Sequence, residues 1–218
     1  MIPVTARVEA AVFDFGGVLT TSGREMIRAW TSAERIDPGT FSAAIKEWMS
    51  RQAPSGTPVH LLETGEMPVE EFNERLAERL RTVDGGKVEA DGLLGRLFAH
   101  NQVEQPMLDL VRRLREHGTR TALLSNSWGA AYPWHLLEGL FECTVISGEV
   151  GLRKPDPRIY RLVLDELGVD PGRAVFVDDA RPNVEAAEAL GMHTILHTDA
   201  PSTTAALAAL TALPLEPT

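Results

Sequence analysis

A single cysteine, Cys143, stands in a chain of 218 residues. It rules out an internal disulfide and any zinc site built on several thiolates, and it suits a reducing compartment. Basic clusters are missing as well. Lys and Arg number 21 against 31 Asp and Glu, for a formal net charge of -10, so the chain lacks the blocks by which proteins hold nucleic acid or an anionic membrane surface. No run approaches the roughly 18 apolar residues of a membrane span. The N-terminus shows no apolar stretch long enough for an export signal. We therefore expect a cytoplasmic protein with neither a nucleic-acid nor a membrane partner. The six histidines form no metal-ligand pair. What remains is ordinary core material: 44% of the residues are hydrophobic, ample for one α/β domain with an insertion or for two small domains.

From about residue 104 onward the pattern is regular. VEQPMLDLVRRLREHG places Met107, Leu110, Val111 and Leu114 at helical spacing and stops at Gly118. The strand TALLSNS follows, then CTVIS, then the helix DPRIYRLVLDELG, with Asp156 as N-cap, Pro157 at the first helical position and Gly168 past the end. RAVFVDD, RPNVEAAEALG, HTILH and PSTTAALAALTAL continue the alternation. Strands alternating with helices of this length imply a parallel sheet covered on both faces. Between residues 20 and 100 helical periodicity dominates, in REMIRAW, TFSAAIKEWM and PVEEFNERLAERL, with RQAPSGTPVH read as a loop. The expected fold is α/β: a Rossmann-like parallel core from residues 1–19 and 101–218, with a helical insertion over residues 20–100 after the first strand.

In open parallel sheets ligands sit beyond the carboxyl ends of the strands. Four apolar runs deliver polar groups there: AAVFD ends on Asp14, TALLSNS on Ser125 and Asn126, CTVIS leads to Arg153 and Lys154, and AVFVDD ends on Asp178 and Asp179. Each alone suits a turn or a helix cap equally well. Together, three carboxylates at one sheet edge stay ionised only around a cation. Hard oxygen ligands without His or Cys point to Mg²⁺. Lys154 adds a fixed positive charge and Ser125 a hydroxyl donor, which is equipment for a transferring phosphoryl group.

DFGGVLT, LLSNS, GLRKPDPRIY and VFVDDARPNVEAAEALG resemble motifs one to four of the haloacid dehalogenase superfamily, and the resemblance spans the chain. LLETGEMPVEEF, with NSW and VDDARPN, is most similar to the phosphatase half of mammalian soluble epoxide hydrolase and to bacterial sugar-1-phosphate phosphatases. The resemblance implies a hydrolase with a helical cap, Mg²⁺ and an aspartyl enzyme intermediate. It makes Asp14 the nucleophile and a metal ligand, with the Gly16 carbonyl and Asp179 as further direct ligands and Asp178 holding the ion's waters. Ser125, Asn126, Gly17 and Lys154 become the phosphoryl site. The implied partner is a small phosphorylated metabolite; self-association as a homodimer stays open.

One position departs from the pattern. Most phosphatases of this family carry Asp two residues after the nucleophile, to protonate the leaving oxygen and activate water, and here that residue is Gly16. A positioned acid/base is worth about 10²–10⁴-fold. Three explanations stand: a leaving group that needs little protonation, such as a sugar 1-phosphate, acyl phosphate or enol phosphate; a proton from the cap, with His60, Glu63 and Glu66 as candidates; or a catalytically silent binder of a phosphometabolite. Haloacid dehalogenation fits less well, because those enzymes need no Mg²⁺ and lack the acid pair at Asp178 and Asp179. Gly16 and Gly17 also suit a tight strand exit. Trp128 is assigned to packing or the pocket wall, and Trp30, Trp48 and Trp134 to a core or interface. Thr20, Thr21 and Ser22 either bind phosphate or cap the next helix; Asn183 either orients Asp179 or starts a helix; Arg153 and Arg181 either extend the positive field or face solvent.

Overall fold

The structure, a computed structural model, describes residues 8–49, 56–129 and 132–214. The chain runs β1 (Ala10–Phe13), α1 (Gly23–Ala33), α2 (Pro38–Trp48), α3 (Pro58–Glu63), α4 (Val69–Arg79), α5 (Leu93–Phe98), α6 (Gln105–Glu116), β2 (Arg120–Ser125), α7 (Trp134–Leu137), β3 (Cys143–Ile146), α8 (Ser147–Val150), α9 (Pro157–Leu167), β4 (Ala174–Asp178), α10 (Arg181–Ala189), β5 (His193–Leu196) and α11 (Ala200–Thr211). The five strands form one sheet in the order β3-β2-β1-β4-β5, every pairing parallel. This is the expected Rossmann-like α/β architecture.

All four residues of β1 are buried, as in a strand covered on both faces. Successive side chains of a strand point to opposite faces. Ala11 and Phe13 accordingly join Leu108, Val111 and Leu207 on the side of α6 and α11, while Ala10 and Val12 join Ile159, Val163 and Ala187 on the side of α9 and α10. The helix α9 starts and stops as its ends dictate. Asp156 accepts a hydrogen bond from the Arg158 N–H, Pro157 occupies the first turn, and Gly168 closes it with φ 60°.

Helices α1 to α5 bury a separate apolar cluster that includes Trp30, Phe41, Trp48, Phe72 and Leu97. The chain enters and leaves this helical block side by side: Thr20 bridges Val103, and the Thr21 N–H donates to the Gln102 carbonyl at 2.8 Å. Ser22 caps α1 in a reciprocal box with Glu25. Thr21 Oγ1 lies 3.2 Å from Asn101 Oδ1, so Thr21 and Ser22 serve the crossing itself. Of the segment read as a loop, residues 51–55 lie outside the described residues. Pro58–His60 are helical instead, because Thr57 accepts from the His60 N–H at 3.4 Å and Pro58 is preset for a first turn. Trp30 and Trp48 are buried, whereas Trp134 is 47% exposed and leans on Tyr132. Among the described residues no helix is long and apolar enough to cross a membrane.

Candidate active site

Strands β2, β1 and β4 are neighbours, and their carboxyl ends bring the polar groups together. Phe13 is in register with Leu123 and with Val177, so the next residues, Asp14 and Asp178, stand side by side, and the Asp14 N–H donates to the Val177 carbonyl at 2.9 Å. Lys154 arrives from the loop after α8. Its fully buried ammonium lies 2.8 Å from Asp14 Oδ1 and 2.7 Å from Asp178 Oδ2. The main chain of Lys154 is fixed by Asn126, whose Oδ1 accepts from the Lys154 N–H at 2.8 Å and whose Nδ2 donates to the Lys154 carbonyl at 3.0 Å. Asn126, read as a phosphoryl contact, is thus also the clamp that aims the lysine.

Both oxygens of Asp178 have further partners. The Ala180 N–H donates to Oδ1 at 2.7 Å, and Asn183 Nδ2 stands 3.1 Å from both oxygens. Asn183 therefore orients Asp178 rather than Asp179. Asp179 is exposed and, among the described residues, makes no ion pair. It leans on Gly17, which has φ +77°; a Cβ there would meet Asp179 Oδ2 at 2.4 Å. Gly16 lines the same cavity and has nothing within 4 Å of where its Cβ would be.

Burial pushes the Asp14 carboxyl up to about 7, with Lys154 opposing and Asp178 reinforcing. Asp179, though exposed overall, is likewise raised, by desolvation of its carboxylate against the cluster and then by Asp178. Burial alone would lower the Lys154 ammonium, but the two carboxylates outweigh it and hold it above its usual value. One oxygen from each of Asp14, Asp178 and Asp179 lies within 4.8 Å of the others. Three carboxylates against one ammonium leave an excess of negative charge, and the free oxygens are hard donors. The set fits a divalent cation with oxygen preference, and the missing Cβ at Gly17 is what lets Asp179 join it.

Residues 8–191 match the family described as haloacid dehalogenase-like hydrolase. The chain belongs to that family. Phosphatase MT3486 of Mycobacterium tuberculosis is 28% identical over 195 residues, covering 87% of this chain and 87% of that protein. Bifunctional epoxide hydrolase 2 of Sus scrofa is 28% identical over 210 residues, covering 88% of this chain and 37% of that protein. The mammalian relatives are much longer, and the chain spans 17% to 37% of their length. Among solved structures, a haloacid dehalogenase family enzyme of Bacteroides thetaiotaomicron, in complex with magnesium and inorganic phosphate, superposes with a TM-score of 0.65 at 24% identity, covering 88% of this chain and 94% of that one. This haloacid dehalogenase-like hydrolase thus shares its fold with enzymes of the same family.

Two residues that sequence reasoning passed over or placed loosely are central in the structure. Tyr132 donates its hydroxyl to Ser125 Oγ at 2.9 Å and packs against Phe15; it lies in GAAYPW, where no periodicity marks it, and its only signal is that the chain has two tyrosines. Glu63 is 3% exposed, pairs with Arg153, and accepts from Trp128 Nε1 at 2.8 Å. Arg153 is thereby spent on the helical block instead of facing solvent, while Arg181 is exposed. Of the proposed cap acids, Glu63 is fully engaged and Glu66 is exposed and bonded to Thr64. His60 lines the cavity, and burial and Arg153 hold its imidazole below the ordinary value.

Proposed function

We propose that this hydrolase is a Mg²⁺-dependent phosphatase of small phosphorylated metabolites that works through an aspartyl phosphate on Asp14. The observation that carries the reading is the pair of contacts from buried Lys154 to Asp14 and Asp178 with Asp179 left open beside them. The family and its phosphatase relatives support it. When bound, Mg²⁺ would supply charge neutralisation at the transferring phosphoryl group, held by Asp14, Asp179 and the Gly16 carbonyl, with Asp178 on its waters.

In this reading an Asp14 carboxylate oxygen attacks phosphorus, the bond from phosphorus to the ester oxygen breaks, and the leaving oxygen takes a proton from water. Water then attacks the aspartyl phosphate, releasing inorganic phosphate and returning Asp14. The Ser125 hydroxyl, itself held by Tyr132, and the Gly17 main chain bind the phosphoryl oxygens, and Lys154 opposes the protonation of Asp14 that burial favours. Gly16 offers no proton, which favours substrates with a good leaving group, such as a sugar 1-phosphate, an acyl phosphate or an enol phosphate. Residues 20–100 act as a cap over a core of residues 1–19 and 101–218. The lone cysteine supports a cytoplasmic setting, and a homodimer is compatible with this arrangement.

The test is phosphate release from p-nitrophenyl phosphate and a panel of sugar and acyl phosphates, with and without EDTA, beside Asp14→Asn. Turnover that stops with EDTA, returns with Mg²⁺ and is absent in Asp14→Asn is the expected result. Binding of phosphate without turnover in any condition would mean a silent binder, and equal turnover in EDTA would overturn the metal's part.

A further inference from the structure

The cavity above Asp14 has a volume of about 680 Å³, in the range of a small-molecule site and far larger than a phosphate needs. Its floor is polar, formed by Asp14, Ser125, Lys154 and Asp179. Its walls are not. From the helical block Met26, Ile27, Phe41, Ile45, Leu97 and Phe98 face into it, so three helices, α1, α2 and α5, each present apolar side chains to the same space. Met49, at 47% exposure, extends that surface at the rim.

Most polar side chains of the wall are engaged with protein partners, leaving, among the described residues, the Arg153 Nη atoms and Asn101 Nδ2 as the donors without a protein acceptor. Thr21 Oγ1 is engaged with Asn101 and accepts from the Gln102 N–H at 3.2 Å. Arg153 and Trp128 both hold Glu63, Asn126 holds Lys154, and Asn183 holds Asp178. Among the described lining residues of the helical block, the His60 ring has no hydrogen-bond partner, and these few polar groups face an apolar majority. A ring of sugar hydroxyls placed here would exchange water for methyl and phenyl groups and leave its own hydroxyls unpaired, at a large cost. A hydrocarbon would instead be removed from water over most of its surface.

Resting on the phosphatase reading of the floor, we infer that the group joined to the phosphate, through an ester or an acyl linkage, carries a hydrocarbon, an alkyl chain or apolar ring system seated between α1, α2 and α5, and is not a sugar. The acyl phosphate members of the good-leaving-group class satisfy this and the absence of an acid at Gly16 together; sugar 1-phosphates satisfy only the second.

The test measures binding apart from turnover. Calorimetric titration of the full chain with inorganic phosphate, with n-alkylphosphonates from ethyl to decyl, and with glucose 1-phosphate, all in Mg²⁺, gives Kd directly. We expect Kd to tighten about three- to fourfold per methylene until the chain fills the cavity, and decylphosphonate to bind at least about a hundredfold tighter than glucose 1-phosphate. Ile27→Asn and Ile45→Asn, at half-buried positions, should each shrink the decyl-to-ethyl ratio about tenfold. A Kd indifferent to chain length, or glucose 1-phosphate binding tighter than the decyl compound, overturns the inference while leaving the phosphatase reading intact. Failure of every anion to bind, inorganic phosphate included, overturns both.

Discussion

Gly17 and Asp179 share a space that holds one of them only because the other lacks a side chain: a Cβ on Gly17 would fall 2.4 Å from Asp179 Oδ2 and 2.9 Å from its Cγ. Gly17 also sits at φ +77°, where an L side chain costs about 1–2 kcal/mol. Gly17→Ala must therefore push the Asp179 carboxylate out of the acid cluster. We predict a half-saturating Mg²⁺ concentration raised about tenfold or more, with a loss of about 1–2 kcal/mol in urea stability. A variant with wild-type Mg²⁺ dependence would show that Asp179 is not a ligand.

Lys154 is the sole cation in ion-pairing distance of Asp14 and Asp178 among the described residues. Its ammonium is fully buried, so Lys154→Met leaves two carboxylates facing each other without compensation. Breaking such a pair costs about 3–5 kcal/mol. We predict a stability loss of about that size in metal-free buffer, partly recovered by Mg²⁺, which should stabilise the variant more than it stabilises the wild type. A Lys154→Met protein as stable as the wild type in EDTA would contradict the buried geometry.

The strand ends were legible because β1, β2 and β4 are short apolar runs that stop at a polar residue, Asp14, Ser125 and Asp178, and each stop is a sheet edge. Asp14, Ser125, Asp178 and Asp179 were found that way. So were the ends of α9, which Asp156, Pro157 and Gly168 spell out. The start of α3 was hidden: Pro58 beside Gly56 reads as a loop until Thr57 is seen to cap it. The apolar wall was hidden for a different reason. Ile27, Ile45 and Phe98 sit at helical spacing like any core residue, and only the packing of α1, α2 and α5 shows that these particular side chains face a cavity. The partners of Asn183, Glu63 and Tyr132 are likewise tertiary, separated from them by 5, 90 and 7 residues respectively, and only the first is within reach of local pattern.

Glu63 ties α3 to the core. Its carboxylate holds Arg153 and Trp128, and its main-chain carbonyl accepts from Ser147 Oγ, which in turn accepts from the Ser127 N–H at 2.8 Å. Hydrogen bonds to charged groups contribute about 1.5–3 kcal/mol, and Arg153, partly open to water, keeps some solvation. Glu63→Gln should cost about 2 kcal/mol, localised at the interface. Amide hydrogen exchange is predicted to speed up in α3 and α4 before it changes in β1 and β4. Uniform acceleration across the sheet would show that Glu63 supports the fold as a whole.

His197 follows β5, with Nδ1 2.8 Å from Thr203 Oγ1. Burial holds its imidazole below the ordinary 6.5, with Asp199 opposing. A histidine depressed in the folded state binds its proton first in the unfolded chain, so its contribution to stability is full above pH 6.5 and is lost as the pH falls from there toward the folded value. His197→Gln removes that loss. Between about pH 7.5 and about pH 5.5 the Tm of the wild type should fall further than that of the variant, and parallel curves would count against a depressed imidazole.

Gly16 has room for a Cβ, the first atom of the aspartate side chain that most phosphatases of this family carry there. A Cβ on it meets nothing within 4 Å, and its φ is not in the left-handed region. The backbone at Gly16 therefore accepts a side chain, and Gly16→Asp should fold. If the enzyme relies on good leaving groups, the added carboxyl helps only where protonation limits the rate. A positioned acid contributes about 10²–10⁴-fold, so kcat on a primary alkyl phosphate should rise by about 10² or more, while kcat on p-nitrophenyl phosphate, whose leaving group needs little protonation, should change by less than about threefold. A gain shared equally by both substrates would mean the carboxyl acts on the water step. No gain on the alkyl ester would mean that a proton already reaches the leaving oxygen from the helical block, and His60, the described ring facing the cavity without a hydrogen-bond partner, would be the next residue to replace.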